Sequence, residues 1–119
     1  MKKLLLTAFI LIGLVSSAYA QDKKSDLIKA ETMCETLAEV AEMIMSNRQA
    51  GVSMSKVLAV LAPKGPTPTP LDIFDKESVL EAYSTPRYNS ENIQKSTIAD
   101  FRDQRHVDCL KWVNQLFIQ

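Results

Sequence analysis

Two cysteines, Cys34 and Cys109, have 74 residues between them, and whether they pair decides how the two ends of this chain can be arranged. The first twenty residues bear on that question. Lys2 and Lys3 precede an apolar run from Leu4 to Val15, and a small-residue stretch closes on Ala18, Tyr19 and Ala20. That order is the one a secretory signal peptide requires, so 1–20 is expected to be a leader and the chain to act in the periplasm or outside the cell. The apolar run is about a dozen residues, short of the ~20 that span a bilayer, and position 21 is Gln rather than an anchoring Cys. No membrane anchor is expected after cleavage. In an oxidising compartment an intramolecular Cys34–Cys109 disulfide is the default, and closing so long a loop stabilises by roughly 4 kcal/mol in the chain-entropy account. A metal pair or a reactive thiol are the alternatives; there is no Cys-x-x-Cys, and the single histidine, His106, stands apart.

Residues 21–119 suffice for one small domain. Without Lys2 and Lys3, twelve basic residues face fourteen acidic ones, a formal charge of −2. With no basic excess, neither nucleic acid nor an anionic membrane surface is an expected partner.

Apolar spacing predicts four helices. Leu27, Ala30, Cys34, Leu37, Ala41 and Ile44 recur at threes and fours, with Met33 and Val40 widening the stripe, over a helix from about Asp26 to Ala50. Gln21 to Lys24 reads as a fraying polar lead-in, and Gly51 as the left-handed cap. Ser53 caps a short second helix in which Met54, Val57, Leu58 and Leu61 share a face, ending at Pro63. Four prolines between Pro63 and Pro70 make 63–70 an extended connector. Thr69 then caps a third helix with Pro70 in its first position, carrying Leu71, Phe74, Val79, Leu80 and Tyr83, irregular near Asp75 and ended by Pro86. Asn89 or Ser90 caps the last helix, about Glu91 to Phe117, with an inner stripe of Ile98, Phe101, Arg105, Cys109, Trp112 and Leu116. The fold class expected is all-α, a small four-helix domain whose long terminal helices run antiparallel and are joined by the disulfide. Facing residues on those helices then have numbers summing to about 143, which sets Trp112 and Leu116 beside Ala30 and Leu27, and Phe101 beside Ala41 and Ile44.

Few constellations suggest chemistry. Arg105 lies on a core-facing stripe and must keep its charge, so a salt bridge to Glu35, Glu39 or Glu42 on the first helix is expected. Arg48 ends the first helix, where a positive charge complements free carbonyls. Glu31, Glu35, Glu39 and Glu42 form an acidic ridge, read as a solvated face partly neutralised by the last helix. Met33, Met43, Met45 and Met54 do not converge as thioether copper ligands, since Met43 and Met45 lie about 200° apart around a helix. No metal or cofactor is expected. No serine, cysteine or acid pattern around His106 forms a triad.

Three segments carry a resemblance: Arg48-Gln49-Ala50-Gly51-Val52-Ser53-Met54-Ser55, Tyr83-Ser84-Thr85-Pro86-Arg87-Tyr88, and Phe101 with Cys109 eight residues on. Together they resemble a group of small exported proteins from phages, prophages and Gram-negative bacteria, with a signal peptide and one cysteine in each terminal helix. The 63–70 stretch departs from that pattern. The resemblance implies no established activity, so no functional residue is carried over from it. The expectation is a non-enzymatic periplasmic module, of phage descent, that binds another envelope protein. An acid-stress chaperone is the alternative, and a hydrolase using His106, Ser53 or Ser55 a weaker one.

Overall fold

The computed structural model describes backbone over residues 2–118 and side chains over 23–117. Four helices are arranged in the order α1 (Lys2–Gln49), α2 (Met54–Val60), α3 (Pro70–Ser84) and α4 (Glu91–Ile118). There is no strand among the described residues. The expected leader, 1–20, lies outside the residues whose side chains are described. From Lys23 the chain is already helical, where a fraying lead-in was expected.

Each helix ends where its residues dictate. α1 has no Gly or Pro between Lys23 and Ala50, and stops in a Schellman turn: Gly51 N–H donates to the Arg48 carbonyl (3.1 Å) and Val52 N–H to that of Asn47 (3.0 Å). Gly51 has φ of 82°, the left-handed conformation that glycine adopts without Cβ strain. A Cβ there would also come within 2.8 Å of the Arg87 guanidinium. Ser53 caps α2, its hydroxyl accepting from Lys56 N–H. Thr69 and Asp72 form a reciprocal capping box at the start of α3, with Asp72 N–H donating to Thr69 Oγ1 (3.2 Å) and Thr69 N–H to Asp72 Oδ2 (2.7 Å). Ser90 serves α4: its carbonyl accepts from Gln94 N–H at 2.9 Å.

α1 is the central element, and α2, α3 and α4 all pack on it. Cys34 and Cys109 are bonded with Cα atoms 5.5 Å apart, which joins α1 to α4 in the expected antiparallel register. One apolar layer surrounds the disulfide, with Leu37, Phe74 and Val113 buried and Leu27, Ala30, Leu71, Leu110 and Trp112 against them. A second, towards the α1 C-terminus, holds Ile44, Met45, Val57, Val79 and Ala82, covered by Phe101 and Tyr83 among others. Ala38 and Ala41 are fully buried between the two, where small side chains let helices approach closely.

Several expectations are corrected. Leu116 is 59% exposed, and Val113, four residues after Cys109, is buried instead. Val113 packs with Cys34, Leu37, Phe74 and Cys109 in the layer around the disulfide, and Leu116 lies outside that layer. Met33 is 41% exposed, while Met45 fills the core. α3 runs unbroken past Asp75, because its Thr69 to Asp72 start fixes the first turn and Ser78 returns its hydroxyl to the Phe74 carbonyl within the helix.

Candidate functional site

Arg105 is 3% exposed, the only buried charged side chain among the described residues. Its partners come from α3 and from its own helix. Nε donates to Ser78 Oγ (2.8 Å), Nη2 to the Phe74 carbonyl (3.2 Å), and Nη1 to Asp108 (3.1 Å) and Glu81 (3.5 Å). Glu77 approaches Nη2 to 4.0 Å. The guanidinium carbon also stands over the Phe74 ring, 3.9 Å from its centroid. Four hydrogen bonds and the more distant Glu77 carboxylate thus surround the guanidinium, and the planar fork holds α3 and α4 together through its head group.

This corrects the expected pairing of Arg105 with Glu35, Glu39 or Glu42. The residue that reaches α1 is Arg102, one turn earlier, whose Nη1 meets Glu42 Oε2 at 2.9 Å. Glu35 and Glu39 are exposed and make no ion pair among the described residues. Arg105 lies on the edge of α4 that turns to α3, and there Glu77, Ser78 and Glu81 line one side of the facing helix. The spacing of Glu77 and Glu81 by four, and of Arg105 and Asp108 by three, was visible in the sequence; that α3 rather than α1 faces Arg105 was not.

Where α3 and α4 diverge they leave a cleft of about 480 Å³, lined by Pro70, Ile73, Phe74, Glu77, Arg105, Asp108 and Trp112. Its walls are apolar and aromatic, its floor is the occupied guanidinium, and its rim carries two carboxylates. Close by, Asp75 is partly buried with one carboxylate oxygen, Oδ1, lacking any hydrogen-bond partner. Burial, helped by the negative charge of Asp72 and opposed by Arg105, raises its pKa to about 6.

A second polar cluster joins the end of α1 to the α3–α4 connector. Gln49, 2% exposed, donates to the Pro86 carbonyl (2.9 Å) and accepts from Tyr88 N–H (2.9 Å). Arg87 Nε donates to the Gln49 carbonyl (3.0 Å), and Arg48 Nε to that of Thr85 (3.1 Å). Tyr83 hydroxyl donates to the Val52 carbonyl at 2.6 Å with the Arg48 guanidinium over its ring, and Gln94 donates to the Tyr88 carbonyl. Burial raises the Tyr83 pKa, against the lowering effect of Arg48. Two of the segments that carry the sequence resemblance, 48–55 and 83–88, thus meet in one hydrogen-bonded corner. Each of its buried polar groups is answered by backbone, which is how such a corner fixes geometry. Arg48 and Arg105 have separate partners and form no common anion site.

The residues considered for hydrolysis stand apart. Ser53 is committed to the α2 cap, Ser55 is exposed in the same helix, and His106 is part-buried on α4 with no hydrogen bond to either serine. Among the described residues no group of three or more His, Cys, Asp or Glu is placed to hold a metal ion. No family model matches the chain, and no curated protein or solved structure matches it either.

Proposed function

We propose that this protein is an exported binding module, without catalytic activity of its own, that engages another protein of the bacterial envelope at the cleft between α3 and α4. The observation that carries this reading is the construction of the cleft. Apolar walls from Ile73, Phe74 and Trp112 stand over a buried arginine held by four hydrogen bonds within the protein, so the surface is preformed at its base. Such a base lowers the ordering cost of association, and aromatic side chains in a partly enclosed setting are the common anchors of protein interfaces. Ile73, 52% exposed at the mouth, offers apolar surface that a partner can cover. The export leader and the resemblance to phage and Gram-negative exported proteins support the compartment.

A photo-crosslinking side chain placed at Ile73, and separately at Ile93 in the first turn of α4, tests this in cells. Discrete adducts with an envelope protein at position 73 and none at 93 are expected. Adducts at neither position, or at both alike, overturn the reading.

A further inference from the structure

The chemistry of the cleft specifies what fits it. Arg105 donates to Ser78, Asp108, Glu81 and the Phe74 carbonyl, has Glu77 4.0 Å from Nη2, and is itself buried, so an incoming anion meets carboxylates before it meets the guanidinium. Glu77, Glu81 and Asp108 supply three negative charges around that single positive one. An anionic ligand would have to displace a carboxylate and then face the others. A neutral apolar group would leave the excess charge unanswered at its edge.

A cation on an alkyl stem meets both conditions. Resting on the reading of the protein as a binding module, we propose that this cleft receives a lysine or arginine side chain from an extended segment of the partner. Its methylenes lie along Ile73, Pro70 and the Trp112 ring, and its charged head sits at Glu77 and Asp108. Long basic side chains cover apolar surface with their stems while the head remains polar, and an indole face attracts the same cation. The volume of about 480 Å³ leaves room for the neighbouring apolar residue of the segment as well.

Trp112 is the only tryptophan in the chain, so its fluorescence reports on this cleft directly. The oxidised protein is titrated with a capped five-residue peptide carrying a central lysine between leucines, and with its glutamine and glutamate counterparts. Saturable change of Trp112 emission is expected with the lysine peptide. The glutamine peptide should bind at least about tenfold more weakly and the glutamate peptide not at all. Glu77→Gln and Asp108→Asn should each weaken the lysine peptide several-fold and leave helicity unchanged, whereas Glu39→Gln on the α1 ridge should have no effect. Equal affinity for the lysine and glutamine peptides, no response to the lysine peptide at millimolar concentration, or sensitivity to Glu39 instead of Glu77 overturns the assignment. Adducts at position 73 would survive such a result, so the cation assignment and the wider binding reading fail separately.

Discussion

Asp75 is where a single side chain sets the response to pH. Its carboxyl ordinarily titrates at 3.8, and in the folded protein burial moves it to about 6. A folded pKa above the unfolded one means that the fold favours the protonated side chain over the ionised one. Its contribution is fully present below pH 3.8 and is lost as the pH rises towards 6. Asp75→Asn keeps a neutral polar group, so it should raise stability at pH 7.5 by about 1–2 kcal/mol, less than the full shift implies because the carboxyl is part-exposed. At pH 3.5 it should have little effect. Denaturant unfolding of both proteins at the two pH values measures this. The direction matters for function, since a chaperone unfolded by acid needs groups that destabilise the fold on protonation, and Asp75 acts the other way. Arg105 poses a different problem: lysine keeps its charge and loses its fork. Arg105→Lys cannot serve Ser78, Phe74 and Asp108 at once, and should lower stability by about 2–3 kcal/mol in urea unfolding at neutral pH.

At the scale of the element, the boundary between α1 and α2 is held by backbone geometry and a side-chain clasp together. Gly51→Ala meets a left-handed φ and an approach to Arg87 of 2.8 Å. A loss of about 1–2 kcal/mol is expected from the backbone alone, with a further loss because Arg87 must leave the Gln49 carbonyl. Gln49→Ala removes the acceptor for Tyr88 N–H and the donor to Pro86, leaving two backbone groups of the α3–α4 connector without partners. Hydrogen exchange should show the clearest result. The Tyr88 amide should lose protection in Gln49→Ala, while amides around Cys34 and Cys109 keep theirs, because the clasp and the disulfide lie at different ends of the α1–α4 pair.

At the scale of the whole molecule, the disulfide and the cleft depend on one arrangement: α3 and α4 both lie on α1, and Arg105 ties the two outer helices across the gap. Cys109→Ser should lower the unfolding midpoint of the oxidised protein strongly, in keeping with roughly 4 kcal/mol for a loop of this size, and should matter little in reductant. Thermal unfolding with and without reductant separates the two. The chain alone determined the number of helices, the caps at Ser53 and Thr69, the α4 cap as Asn89 or Ser90, the Gly51 stop and the antiparallel pairing of α1 with α4. Those features come from local periodicity, cap chemistry and a single covalent constraint, each legible within a few residues. The partners of Arg105, the burial of Gln49 and Val113, and the exposure of Leu116 and Met33 were decided only in three dimensions. Sequence spacing fixes which residues share a face, but which neighbour that face meets depends on how the shorter α3 is seated on α1. The same seating leaves the α3–α4 cleft open beside Trp112, where no local pattern could have placed it.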